Sequence, residues 1–157
     1  ALMALALHGA GRRRLPDLRP RDAAILYGFA VWLWHAPALY DASLIDPTLH
    51  LVKLASLLGL AWVFWTSIVG AARTGGRALE AVAAVLATMI HTGALGALIA
   101  FAPRLLYGTV ATATTAMGLD PAADQQTAGL IMLAGLALVT ATILRPAPST
   151  EANETPR

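Results

Sequence analysis

Residues 49–72 of this 157-residue chain read LHLVKLASLLGLAWVFWTSIVGAA, an apolar run in which Lys53 is the one fully charged side chain. The hydrocarbon core of a bilayer is about 30 Å thick, and roughly 20 apolar residues in a helix cross it. Three further apolar runs occupy residues 23–39, 79–102 and 127–144. Together the four runs predict an all-α, polytopic transmembrane helix bundle with four spans.

The composition also favours a membrane protein. Hydrophobic residues make up 57% of the chain, charged residues make up 13%, and the mean hydropathy is +0.64. Soluble domains contain about one quarter charged residues. The chain has no cysteine, which excludes a disulfide scaffold and cysteine-ligated zinc or iron–sulfur sites.

The positions of the basic residues predict the membrane topology of the chain. Because they have this role, no nucleic-acid partner is expected. Basic residues in short loops mark the cytoplasmic side of a membrane. Most of those in this chain cluster at residues 12–21, at 73–77 and at 145, all on one side of the four-span arrangement, whereas the opposite loops hold Arg104 alone among four acidic residues. Both ends of the chain are therefore predicted to be cytoplasmic, and the turn at residues 41–47 is predicted to face outward.

The remaining segments are shorter or more polar than a span. Residues 104–124 mix apolar side chains with threonines, which predicts a segment lying along the membrane interface. Residues 1–144 would then form one bundle, followed by a disordered polar tail at 145–157. The apolar residues 1–7 resemble the last turns of a helix, so further spans are expected before Ala1.

Titratable side chains inside a membrane are costly and are functional candidates for that reason. Here they are His35, His50, Lys53 and His91. His35 and His91 each lie roughly 18 Å from the cytoplasmic boundary when residues are counted along their predicted spans. This equal depth predicts a shared site, although two separate histidines with structural roles would give the same pattern.

Two kinds of cofactor would suit the His35 and His91 pair. Copper(I) accepts imidazole and thioether ligands, so His35 and His91 could hold copper with Met132 or Met89. A haem would use the two imidazoles as axial ligands. The chain has no recognisable hydrolytic motif, and we expect that it is not an enzyme.

The other polar candidates have simpler explanations. His50 is a further candidate metal ligand, although a hydrogen-bonding role near a helix end is the simpler expectation, and Met132 could serve in packing alone. Lys53 is expected to extend towards the interface or to pair with Asp46 or Asp124.

The start of the fourth span carries Asp124, Gln125 and Gln126. Asp124 is predicted to be the helix N-cap. Successive side chains point about 100° apart around a helix, so one glutamine is predicted to face inward and to bond towards the region of His35 or His50.

Several segments, taken in order, resemble the polytopic CtaG-like family of bacterial membrane proteins. The specific ones are residues 34–44, WHAPALYDASL, and residues 124–132, DQQTAGLIM, and the less specific GALGALIAFA occupies residues 93–102. Members of that family resemble bundles of six or seven spans, of which this chain would be the C-terminal portion. The resemblance covers nearly the whole chain from Leu15 to Leu144.

The resemblance implies a plasma-membrane factor that assembles cytochrome c oxidase of the caa type. Oxidase subunits and the lipid bilayer would be its partners, and copper, bound transiently, would be its cargo. The positions that match the family's polar motifs are His35, His50, Asp124, Gln125, Gln126 and Met132. Family members tend to carry a second histidine one turn after the position of His50, where this chain has Leu54.

Two other functions remain open from the sequence. The protein could be a permanent accessory subunit of a respiratory oxidase, with Trp62, Phe64 and Trp65 as exposed contact residues and no metal chemistry. It could also be a membrane haem protein with His35 and His91 as axial ligands.

Overall fold

The structure is a computed structural model that describes residues 18–143, except for the side chains of Thr74 and of residues 136–143. Every regular element in this part of the chain is a helix, which confirms the all-α prediction. The helices are α1 (Pro20–Trp34), α2 (Pro37–Ile45), α3 (Pro47–Thr74), α4 (Ala78–Ala100), α5 (Gly108–Ala116) and α6 (Pro121–Ile143). The predictions for the first 17 residues and for the tail at 145–157 fall outside the described residues.

The first predicted span, residues 23–39, is broken. Helix α1 ends at Trp34, and α2 leaves it at an angle of 73°. Pro37 causes the break, because a residue that precedes proline is disfavoured in the helical region. Ala36 accordingly has an extended backbone, with φ −60° and ψ 126°.

The number of spans also differs from the prediction. By length and composition, Pro47–Arg73 and Ala78–Ala100 could each cross a membrane, and the bent pair of α1 and α2 could form a third span. The described residues thus give two or three candidate spans, not four. The fourth predicted span lies on α6, which carries the polar residues Asp124, Gln125 and Gln126 in its first two turns. Its side chains from residue 136 onward are outside the described part.

The turn predicted at residues 41–47 is mostly helix. Asp41 lies within α2, and Asp46 alone separates α2 from α3. The Asp46 carboxylate accepts hydrogen bonds from the backbone N–H groups of Thr48 (2.7 Å) and Leu49 (3.2 Å). Asp46 is therefore the N-cap of α3, and Pro47 occupies the first helical position, where its missing N–H costs nothing.

The segment predicted to lie at the interface contains α5. This helix ends in a Schellman motif, in which the N–H of Leu119 donates to Thr114 O and Gly118 adopts a φ of +76°. Helix α6 then begins one turn earlier than expected. Asp120 accepts the N–H of Ala122 (2.9 Å) and is the N-cap, so Asp124, predicted for that role, lies inside the helix.

Two small apolar clusters hold the helices together. Phe64 of α3 packs with Ala23, Ala24 and Ala84 where α1, α3 and α4 meet. Phe64 is only 2% exposed, which corrects its expected place on an exposed face; Trp62 and Trp65 are 37% and 43% exposed. The second cluster lies further along α1 and α4 and consists of Val31, Leu95, Ile99 and Tyr107, with Met132 of α6 against it.

Candidate functional site

A cavity of about 110 Å³ lies beside the break between α1 and α2. We call it the His35 cavity. Helices α2, α4, α5 and α6 all contribute to its wall, together with His35 at the end of α1 and the segment between α4 and α5. Its lining residues are His35, Tyr40, Ile99, Leu105, Tyr107, Val110, Ala111, Pro121, Asp124, Gln125, Ala128 and Met132.

The position of the His35 ring fixes its tautomer. His35 is the C-cap of α1, and its Nδ1 lies 2.6 Å from the backbone oxygen of Val31. A carbonyl oxygen can only accept, so Nδ1 must carry the proton. The other nitrogen, Nε2, is then left with a lone pair in the neutral ring. Metal-binding histidines are commonly prepared by the same kind of backbone hydrogen bond.

Two tyrosines stand next to His35. The rings of Tyr40 and Tyr107 have centroids 4.5 Å apart, and the Tyr40 centroid lies 6.0 Å from that of His35. The Tyr107 hydroxyl donates to the backbone oxygen of His35 at 3.1 Å. Burial, reinforced by Tyr40 and Asp41, raises the pKa of Tyr107 to about 12. Tyr107 therefore remains a neutral donor at physiological pH and ties the loop after α4 to the end of α1.

Gln125 is the inward-facing glutamine. It is 9% exposed, and its Oε1 accepts the backbone N–H of Leu106 at 2.7 Å. Its Nε2 donates to Arg104 O (3.2 Å) and more weakly to Ile99 O (3.4 Å). The predicted bond towards His35 or His50 is thus replaced by bonds to the segment after α4. That segment contains Pro103 and has backbone groups that no helix satisfies.

The remaining members of the DQQ motif separate. Asp124 lines the cavity, and its Oδ2 accepts a hydrogen bond of 3.3 Å from the Thr114 hydroxyl. Gln126 is exposed and is not part of the cavity wall. Met132 lies two turns after Asp124 and also lines the cavity. The structure therefore brings together His35, Asp124, Gln125 and Met132 out of the residues singled out from the sequence.

A scan against protein-family models matches residues 12–145 to the cytochrome c oxidase caa3 assembly factor family, Caa3_CtaG. The chain belongs to this family. The family is one of cytochrome c oxidase assembly factors, which agrees with the resemblance noted in the sequence. No curated protein and no solved structure is matched by the chain.

Lys53 of this Caa3_CtaG chain has different partners from those expected. It is 8% exposed, its Nζ donates to the Ser43 hydroxyl at 2.7 Å, and it lies 4.5 Å from the centroid of the Tyr40 ring. Among residues 18–143, no carboxylate is within ion-pair distance of Lys53. The expected pairing with Asp46 or Asp124 does not form, because α2 folds back along α3 and covers the ammonium group.

The other two histidines lie apart from the cavity. His91 Nε2 would be only 2.7 Å from a Cβ atom placed on Gly28, so its ring lies against α1 two turns before His35. Two turns correspond to roughly 10 Å along the helix. The predicted equal depth of His35 and His91 was counted from the predicted starts of their spans, and these starts are not level in the bundle. His50 is half-buried in the first turn of α3 and does not line the cavity.

The described part of the chain contains no group of three His, Asp or Glu side chains arranged to hold a metal ion. Any metal in the His35 cavity would therefore need at least one donor of another kind, such as the Met132 sulfur, beside His35 and Asp124. Sequence reasoning assigned no role to Tyr40 or Tyr107, which face the cavity. Tyr40 lies in the segment 34–44 that carries the family resemblance, and the pair Leu106–Tyr107 also recurs in that resemblance, which was the available signal.

Proposed function

We propose that this protein is an integral membrane factor that supplies copper to cytochrome c oxidase during assembly, and that the His35 cavity receives the Cu(I) ion in transit. The observation that supports the proposal is that His35 and Met132 line one small cavity. An imidazole nitrogen with a free lone pair and a thioether are both suitable ligands for Cu(I). Two neutral ligands, with Asp124 nearby, suit a cargo that must be released.

The space that His35 shares with Met132 favours an ion over an organic cofactor, and the larger concave surface of about 940 Å³ that His35 also lines does not include Met132. A volume of about 110 Å³ is well below the roughly 300–1,000 Å³ of typical small-molecule sites. A bis-histidine haem would also require His35 and His91 on opposite faces of one macrocycle, whereas these rings lie in different parts of the bundle. The proposal therefore does not include haem, and it assigns the protein no catalytic step.

The distribution of arginines supports an orientation. Arg19 and Arg21 lie at the start of α1, Arg73 lies in the last turn of α3, and Arg77 caps α4, all at the end of the bundle opposite the His35 cavity. Arg104 is the one arginine of the described residues at the cavity end. By the positive-inside rule the end with the other four arginines is cytoplasmic. The proposal accordingly places the protein in the bacterial plasma membrane with the His35 cavity towards the outer face.

The proposal is tested by replacing Met132 with Leu in cells that carry the variant as their sole copy. Leu has nearly the same volume, so the fold should be retained while the thioether is lost. We expect oxidase polypeptides at normal levels with a lowered copper content, measured by mass spectrometry on purified oxidase. The purified full-length variant should also bind Cu(I) roughly tenfold or more weakly in competition with a chromophoric chelator.

Gln126→Leu is the matched control, because Gln126 is exposed on the same helix outside the cavity. His35→Gln is a second cavity variant and should show the same copper defect. Unchanged oxidase copper and activity in both cavity variants would contradict the proposal. If the protein also co-purified stoichiometrically with mature oxidase, that result would favour a permanent accessory subunit.

A further inference from the structure

A second concave surface lies between α1 and α4, and we call it the His91 groove. It has a volume of about 420 Å³. Most of its wall is apolar, formed by alanines of both helices together with Ile25, Gly28 and Phe29. Small-molecule sites typically have this size and this kind of lining, with a few polar groups that fix the ligand.

Three polar residues of the groove have side-chain atoms that lack a hydrogen-bond partner. Within the described residues, the buried side-chain atoms without a hydrogen bond are Glu80 Oε1, Thr88 Oγ1 and both ring nitrogens of His91. All three residues line the His91 groove. Buried polar atoms are nearly always hydrogen-bonded, and Glu80 Oε1 already faces Arg21 Nε, so the Thr88 hydroxyl and the two His91 nitrogens are the atoms that call for a partner. Thr88 is itself only 9% exposed.

The depth of these groups limits what the partner can be. Glu80 is near the start of α4, where its Oε1 lies 4.0 Å from Arg21 Nε at the mouth of the groove. Thr88 and His91 lie deeper, roughly 15–20 Å from the start of α4 along the helix axis. A phospholipid headgroup stays at the interface and cannot reach them. A ligand that reaches Thr88 and His91 must therefore be largely apolar and carry a small polar group.

The chemistry of the two deep residues narrows the class further. Thr88 and His91 are three residues apart and therefore neighbours on the helix surface. The threonine hydroxyl and the N–H of a neutral imidazole are both donors, and they suit acceptor oxygens on one ligand. The His91 ring rests on Gly28, where any larger residue would clash. A turn about its Cβ–Cγ bond, a torsion with a broad energy minimum, would direct a ring nitrogen into the groove.

We propose that the His91 groove binds a hydrophobic ring compound bearing carbonyl groups, of the membrane-quinone class. Its carbonyl oxygens accept hydrogen bonds from Thr88 and His91, and its hydrocarbon tail leaves the groove past Ile25 and Phe29, which are 68% and 67% exposed. This site is separate from the His35 cavity, and it does not depend on copper binding there.

The test uses the purified full-length protein in lipid nanodiscs and two probes with the same alkyl chain. Decylubiquinone has ring carbonyls and decylbenzene does not. We expect saturable binding of decylubiquinone only. Thr88→Val preserves the shape but removes the donor, and His91→Phe preserves a ring but removes both nitrogens. Each variant should weaken decylubiquinone binding by roughly tenfold, the effect of losing one buried hydrogen bond.

Thr92→Val is the control, because Thr92 belongs to the same helix but does not line the groove. It should bind decylubiquinone as the wild type does. The proposal is overturned if decylbenzene binds equally well, if the wild type binds neither probe, or if both groove variants retain full affinity. A photocrosslinker placed at position 87, in the wall of the groove, provides a second test. The proposal would also be overturned if this crosslinker captured a helix of the oxidase and no quinone.

Discussion

Gln125 joins α6 to the backbone that follows α4, and a single substitution should show how much that connection contributes. Gln125→Leu would leave the Leu106 N–H and the Arg104 carbonyl without partners. Leaving buried polar groups unsatisfied costs about 1–3 kcal/mol. We expect the variant to lose about 2 kcal/mol of stability, measured by thermal unfolding in detergent followed by intrinsic fluorescence.

The adjacent Gln126→Leu provides the comparison for this measurement. Its side chain is exposed, and such substitutions usually change stability by no more than about 0.5 kcal/mol. Equal stability of the two variants would show that the Gln125 hydrogen bonds contribute nothing to the fold.

Helix α5 depends on a carboxylate supplied by another helix. Asp41 of α2 accepts hydrogen bonds from the backbone N–H groups of Gly108 (2.9 Å) and Thr109 (3.1 Å), at the start of α5. It therefore acts as an N-cap from outside the helix and favours the positive end of the helix dipole. Asp41→Ala should destabilise α5 by about 1 kcal/mol. Faster amide hydrogen exchange at residues 108–112 would report the fraying of this helix.

Asp41→Asn separates the effects of charge and hydrogen bonding. Asparagine keeps one acceptor oxygen, so its exchange rates should fall between those of the wild type and Asp41→Ala. If Asp41→Ala leaves exchange in α5 unchanged, capping by α2 is not what holds this helix.

The bundle as a whole depends on the close approach of α4 and α6. A Cβ atom on Gly129 would lie 2.6 Å from Gly96 O and 2.8 Å from Ala100 Cα. Because these neighbours are backbone atoms, they cannot yield without moving a helix. Gly129→Ala should separate α4 from α6 and lower stability by about 1–3 kcal/mol, the usual range for overpacking. The same thermal unfolding measurement tests this.

Gly135→Ala is the matched control on the same helix. A Cβ atom there meets nothing within 4 Å, and alanine is favoured over glycine within a helix by roughly 0.5–1 kcal/mol. This control should unfold at the same temperature as the wild type or at a higher one. A Gly129→Ala protein as stable as Gly135→Ala would rule out a tight crossing at Gly96.

The sequence predicted some features of the site and missed others for identifiable reasons. His35, Asp124, Gln125 and Met132 were singled out, and all four line one cavity. The pairing of His35 with His91 was inferred from residue counts, which assume straight helices that start level. Pro37 bends the first span, and Gly28 receives the His91 ring well before His35 is reached. Neither the difference in depth between His35 and His91 nor the contact of the His91 ring with Gly28 can be read from the spacing of residues along the chain.

By itself the sequence determined the helical class, the extents of α3 and α4, and the family. These follow from local quantities, namely long apolar runs, helix-ending residues and short specific motifs. Only the tertiary structure decided which polar groups meet. The aromatic wall of Tyr40 and Tyr107, the partners of Gln125 and Lys53, and the unsatisfied atoms beside Gly28 all depend on how helices cross. Crossing positions are set by packing between residues far apart in the chain, such as Gly96 and Gly129.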